Sequence, residues 1–392
     1  MIPAYHMKRP WLGLTLLAAF ATGGCSHPAP AESQAAQAPV VDTLPQRRDA
    51  DDTARFLAGM PGKPGSPYTA LESNPAWQQH REVLDKAWSG TETSLIAGLA
   101  EFQKQELAGT PINAAPVFYP FGGPDALTPL LCFPHSASYV MVALEPAGTL
   151  PTPARLEKKD LAHYLPELRN TMGSVLGRSF FITRDMDRQF RGQVTDGLMI
   201  PIVQILVRTG HSIAGYRYVT LNDAGQPIER PAEFHTTNKH GNRGFELSYR
   251  TDADGSLHHL SYYSVNLDDK HLSDNDAFRK FAAGLKGSTT MFKATSYMTH
   301  NKDFSIIRDI ALATSGAILQ DDSGLPFKLF DAQWKVQLYG EYNQPYGSFH
   351  FRVQKDLRDA YHAAGVKPLP VRIGYGYGKV ASNLLLARRS GS

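Results

Sequence analysis

Four short polar clusters of the chain carry side chains able to do chemistry, and each stands where an apolar run gives way to polar residues. Tyr119-Pro-Phe-Gly-Gly-Pro-Asp125 follows the run that begins at Val117, and Glu145-Pro146 closes the next one, Tyr139–Leu144. Lys293-Ala-Thr-Ser-Tyr297 and Gln320-Asp-Asp-Ser-Gly324 stand in the same relation to two later runs. Together they offer carboxylates (Asp125, Glu145, Asp321, Asp322), hydroxyls (Tyr119, Ser296, Tyr297, Ser323) and an amine (Lys293). Such groups can hold a polar ligand, bind a hard cation through oxygen, or supply an acid and a base. Each cluster also has a plain structural reading. Asp125 after Gly-Gly-Pro is placed as a helix cap, and Asp-Asp-Ser-Gly makes a turn by composition alone.

The elements that would position these residues can be read from the pattern around them. Val117–Glu145 and Met291–Gly324 each read strand–helix–strand, at the roughly 30-residue spacing of a crossover unit. If the strands of each pair are parallel, all the polar clusters leave carboxyl ends, the edge where open α/β sheets bind ligands. From Asn74, capped and followed by Pro75, apolar residues recur at helical steps through Phe102, and residues 160–209 also read as mostly helical. Between His211 and Leu267 the pattern turns to strands, with turns at Asn222-Asp-Ala-Gly225 and Asp252-Ala-Asp-Gly255. A helix is expected from Ser273-Asp274 to Leu285, a strand over 290–295, a helix over 304–312 and a strand over 317–320. Short strands over 334–338 and 349–353 and a helix over 355–364 complete the pattern. The expected class is α+β (mixed α/β), with a helical amino-terminal part, strand–helix–strand units and an antiparallel middle.

With 392 residues, 42% hydrophobic and a net charge of +3, the chain is neither collagenous nor wholly disordered, and its charge offers no case for nucleic acid. HExxH, P-loop, nucleophile-elbow and SxxK motifs are missing, and two cysteines cannot build a Cys-rich zinc site. His258-His259 falls on an expected strand, where the two rings face opposite ways. No metal and no cofactor are expected. Cys132, among apolar neighbours, reads as a small buried hydrophobe.

The beginning of the chain speaks to location. Lys8 and Arg9 precede the apolar run Trp11–Phe20, and Ala-Thr-Gly-Gly leads to Cys25. That run is too short for the roughly 30 Å hydrocarbon core, so residues 1–24 read as an export signal. Gly-Gly-Cys resembles the lipobox of bacterial lipoproteins, although Thr22 stands where that family has Leu. The resemblance implies cleavage before Cys25 and acylation of its thiol, with palmitate among the chains, and two chains hold a protein on a bilayer where one does not. Ser26 is not the Asp that in that family favours the inner membrane, so the resemblance implies the outer membrane. Residues 25–50, rich in Ala, Pro and Gln, read as a flexible tether, and 51–392 as the folded body, either one domain or two packed halves (51–209 and 210–392).

The five stretches Tyr119–Asp125, Leu144-Glu-Pro-Ala-Gly148, Lys293–Tyr297, Gln320-Asp-Asp-Ser-Gly-Leu-Pro326 and Tyr339-Gly-Glu-Tyr342 together resemble a family of uncharacterised bacterial secreted proteins and lipoproteins, from about residue 50 onward. That family often carries Ser where this chain has Gly122, so no hydroxyl nucleophile stands there, and the resemblance implies an envelope location without an activity. The leading expectation is a membrane-anchored envelope protein that binds a small molecule, an envelope ligand or a partner. A carboxylate-dependent hydrolase of an envelope polymer or small ester, and a structural assembly factor, are the rivals.

Overall fold

The computed structural model describes residues 44–176, 196–234, 241–363, 365–376 and 381–391, all of which belong to one compact unit, residues 36–392. At its centre is a sheet of ten strands. They are β1 (Val117–Pro120), β2 (Ser138–Ala143), β3 (His211–Leu221), β4 (Pro227–Arg230), β5 (Gly244–Thr251), β6 (Leu257–Ser264), β7 (Ser288–Phe292), β8 (Ser315–Gln320), β9 (Trp334–Gly340) and β10 (Asn383–Arg389). The order across the sheet is β4-β3-β5-β6-β2-β1-β7-β8-β10-β9. β6, β2, β1, β7 and β8 run parallel, and antiparallel strands extend both flanks.

Alternation along the strands divides the core between two faces. Val117, Tyr119, Tyr139 and Met141 join the larger cluster, packed under the helices Arg48–Leu57, Pro75–Thr91, Leu127–Cys132, Leu161–Leu176 and Met199–Arg208. Phe118, Val140 and Val142 point the other way, toward the helices Asp276–Ala283 and Ser305–Thr314. A third cluster, around Phe292, Ile318 and Leu385, lies under Lys355–Tyr361. The fold is α+β, helices covering both faces of a mixed sheet. Burying a side chain such as Phe118 contributes roughly 1.5–3 kcal/mol, so each period-two pattern is locked in register.

Local chemistry explains most boundaries. Asn74 Oδ1 accepts from Ala76 N at 2.9 Å and Pro75 fills the first turn, fixing the start of the helix Pro75–Thr91. Its apolar spacing continues to Leu107 because two π-helical stretches, Glu92–Ile96 and Gln103–Leu107, widen the turn. The edge strand β4 begins with Pro227, whose missing N–H costs least there. No helix among the described residues is long and apolar enough to cross a membrane.

Several expectations need correction. The tether does not extend to residue 50: Leu44 is buried, Gln46 bridges Gly215 antiparallel, and Ala50 sits in the core on a helix that starts at Arg48. The helix expected at Ser273 begins at Asp276, because Asn275 rather than its neighbours accepts from Phe278 N. The strand expected to reach Thr295 stops at Phe292, where the chain turns left-handed. Gly347–Arg352 is a 3₁₀ helix and not a strand. Phe349 packs on Tyr297 and Tyr375, with ring centroids 5.1 Å away in each case, while Phe351 is 67% exposed. Those contacts override the apparent alternation. β10 has no counterpart in the pattern reading, because Leu384-Leu-Leu-Ala387 is buried on both sides and shows no period. The halves 51–209 and 210–392 share one sheet, since β1 lies between β2 and β7.

Candidate functional site

Because five central strands run parallel, the loops after β1, β2, β6, β7 and β8 leave the same edge. From β1 the chain moves to β2 on one side, and later from β7 to β8 on the other, with the two crossover helices on opposite faces. The border between β1 and β7 is therefore a switch point, where the departing loops part and open a crevice.

Beneath that crevice the first and third polar clusters meet. Lys293 Nζ lies 2.5 Å from Asp125 Oδ2, both residues buried, and donates to Thr128 Oγ1 at 2.8 Å. Tyr119 Oη donates to Asp125 Oδ2 at 2.9 Å, and Thr128 gives its amide and hydroxyl protons to Oδ1 at 3.2 and 2.9 Å. Ala126 and not Asp125 is the N-cap of the helix Leu127–Cys132, but Asp125 Oδ1 still takes the Thr128 amide while Oδ2 holds the charge pair. A buried ion pair is tolerable only with this many accompanying hydrogen bonds. Gly122 has its own reason to lack a side chain: a Cβ there would come within 2.8 Å of the Tyr119 ring.

The loop after β7 is strained. Ala294, Ser296 and Tyr297 hold φ of 52°, 54° and 56°, and Phe121 after β1 holds 62°, a region costly for residues with a Cβ. The loop after β8 supplies the bonds that hold it there. Ala294 N donates to Asp321 Oδ2 at 2.8 Å, and Thr295 N to Ser323 Oγ at 2.8 Å. Thr295 Oγ1 donates to Ser323 O at 2.5 Å, and Tyr297 Oη donates to Asp322 Oδ2. Ser323 returns its own amide and hydroxyl protons to Asp321 Oδ1. Asn383, at the start of β10, holds Asp322 from the far side through Nδ2 at 2.9 Å.

Burial pushes the Asp321 carboxyl well above the usual carboxylate range, and the adjacent Asp322 charge raises it further. Asp322 is also raised by burial, against hydrogen bonds from Tyr297 and Asn383 that lower it. Burial, with Asp322 beside it, drives the Tyr297 phenol far up, so it stays protonated and donating. The Cys132 thiol is pushed up to about 12 by burial, which leaves it inert at neutral pH.

Above these buried groups lies a cleft of about 670 Å³. Glu145, from the end of β2, and Ser296 are the only two of the nine candidate residues on its walls. Tyr119, Asp125, Lys293, Tyr297, Asp321, Asp322 and Ser323 are drawn together under it and do not line it. Aromatic rings make up much of the wall: Phe121 and Phe304, 6.0 Å apart, and Phe349 and Tyr375. Leu144, 53% exposed, stands at the rim beside Glu145, and Asn266 follows β6.

Comparison with protein-family models, with curated proteins and with solved structures finds no match to this chain. The geometry alone therefore bears on function.

Tyr375 is the residue that pattern reading passed over. It stands in the glycine–aromatic stretch Gly374-Tyr-Gly-Tyr-Gly378, of which 377–378 lie outside the described residues. Tyr375 Oη donates to Ala294 O at 2.8 Å, and Ser296 N donates to it at 2.9 Å. With its proton so committed, it accepts from Ser296 Oγ at 3.0 Å. Gly374 is required because a Cβ would sit 2.4 Å from Asp321 Oδ2 at a φ of +63°. Asn383 and Asn266 were equally silent in sequence, since nothing periodic marks them, and Phe349 was masked by an alternation that read as a strand. No group of three or more His, Cys, Asp or Glu among the described residues could hold a metal ion.

Proposed function

We propose that this chain is an envelope lipoprotein, anchored to the outer membrane through acylated Cys25, whose body binds a small ligand in the cleft at the β1–β7 switch point. The observation that carries the binding reading is the division of labour at the sheet edge. The reactive-looking residues are consumed in bracing two loops, and the braced loops present an aromatic cavity with a few polar groups, the makeup of a ligand site.

The hydrolase alternative has less support. An acid–base pair should share the cleft, yet the two raised carboxyls, Asp321 and Asp322, are off its walls. Ser296 is exposed and strained, but its hydroxyl pairs with the phenol of Tyr375, which burial pushes up to about 12 and which cannot take its proton. An assembly factor would need a broad apolar surface; among the described residues the exposed large hydrophobics are Val83, Leu144, Phe351 and Val353.

Cys25 lies outside the described residues, so the anchor rests on the Gly-Gly-Cys pattern after a basic and apolar leader. Labelled palmitate should enter the wild type and not Cys25→Ser; equal labelling removes the anchor from the proposal. For the cleft, native mass spectrometry of protein taken from its own membranes should show a small-molecule adduct. Leu144→Trp, a change at a half-exposed rim position, should fill the cleft and lose it. A wild type without an adduct, or a variant that keeps it, overturns the binding reading.

A further inference from the structure

The cleft takes its character from what its walls lack as much as from what they hold. Among the described residues lining it there is no Lys, Arg, His or Asp. Glu145, the one carboxylate, is 3% exposed and already engaged within the protein, so it offers no charge to a ligand. The aromatic pairs Phe121–Phe304 and Phe349–Tyr375 share the walls with Leu144 and Leu267. Most polar groups on the walls are spent inside the protein. Thr295 gives its amide and hydroxyl protons to Ser323, while Asn266 pairs with His271 Nδ1 at 3.0 Å and accepts from Asp268 N at 3.2 Å. Ser296 is the exception. Its hydroxyl donates to Tyr375, whose own proton goes to Ala294 O, and its lone pairs remain able to accept.

A charge of either sign brought into such a place leaves water without meeting a counter-charge, which is strongly disfavoured. An uncharged apolar body instead gains in proportion to the area it buries. The apolar side chains left in water point to the same class. Four large hydrophobics are exposed among the described residues. Leu144 is on the cleft wall, and Phe351 and Val353 belong to, or follow directly, the 3₁₀ segment Gly347–Arg352, whose Ser348 and Phe349 line the cleft. Val83 alone lies on a distant element, the helix Pro75–Thr91. Exposed apolar surface is thus gathered on the segments that build the cleft, as suits the entry of a ligand that avoids water.

We infer that the cleft takes an uncharged amphiphile, a hydrocarbon body with a hydrogen-bond-donating end held at Ser296 Oγ. This rests on the ligand-binding reading of the same cleft and names the class of ligand.

The test uses three probes with the same hydrocarbon chain and different charge, measured by calorimetry at neutral pH on the whole folded chain: octan-1-ol, octanoate and octyltrimethylammonium. The alcohol should bind at least about tenfold more tightly than either ion, equivalent to about 1.4 kcal/mol. Ser348→Lys, at an exposed position of the wall, supplies the missing cation. It should raise octanoate affinity several-fold relative to octanol while leaving octanol within about twofold, which also shows that the cleft is intact. Ser296→Ala should weaken octanol several-fold through loss of the accepting oxygen. An ion that binds as tightly as the alcohol, or a Ser348→Lys variant in which the octanoate-to-octanol ratio stays put, overturns the inference. Full octanol affinity in Ser296→Ala overturns the placing of the donor. If no probe binds while native mass spectrometry still shows an adduct, the class is wrong and the binding reading stands; with neither probe nor adduct, both fall.

Discussion

At the scale of single residues, the Asp125–Lys293 pair shows how a polar group can be indispensable without touching a ligand. Removing one member of a buried pair strands the other, so Lys293→Met should destabilise the fold by about 3–5 kcal/mol. Adding Asp125→Asn to that variant should recover part of the loss, and urea unfolding of the single and double variants reads both numbers. Asp321 makes a different prediction. Folding raises its pKa, so the native state holds the proton more tightly than the unfolded chain does. The stability from that group is full at acid pH and is lost as pH rises through the raised value. Asp321→Asn gives up hydrogen bonds at every pH, yet its deficit relative to wild type should narrow between about pH 5 and about pH 8. A deficit that stays constant, or widens, in melting experiments would show that the carboxyl is not raised.

Elements explain why those residues are where they are, and how much of this could be read beforehand. The exit loops after β1, β2, β7 and β8 were legible because each follows an apolar β-forming run and ends in turn residues. Their meeting at one edge followed from the repeated strand–helix–strand order. The contributions of Tyr375, Phe349 and Asn383 were not legible, since each arrives from a separate segment whose local pattern says only loop, aromatic or apolar run. Nor could the left-handed turn at Ala294–Tyr297 be foreseen, because Ala-Thr-Ser-Tyr carries no glycine to announce it. Ala294→Gly tests that strain. The left-handed region costs an alanine roughly 1–2 kcal/mol and glycine gives back part in chain entropy, so the variant should gain up to about 1 kcal/mol in urea unfolding. Gly374→Ala works in the opposite sense. Its Cβ would crowd Asp321 Oδ2, and a loss of about 1–3 kcal/mol is expected from the same measurement.

For the molecule as a whole, the sheet is assembled out of sequence order. β10 pairs with β8 on one side and β9 on the other, while the segment between β9 and β10 supplies Phe349 and Tyr375 to the cleft. Ending the chain after Ser382 removes β10 and leaves β8 and β9 without their shared neighbour. Such a chain should lack cooperative unfolding and be cleaved rapidly by protease, whereas retention of a sharp transition would show that β10 is expendable.

The place of β10 also sets a timetable. A ribosome delivers residues in order, at roughly 5–20 per second, and early segments fold as they emerge where they can. Here β8 is finished about 60 residues before its partner is made, and the site's second aromatic wall waits with it. Until Arg389 is out, the nascent chain exposes an open sheet flank and a cavity lacking its closure. A protein built this way becomes a receptacle only when β10 slides into the gap between β8 and β9.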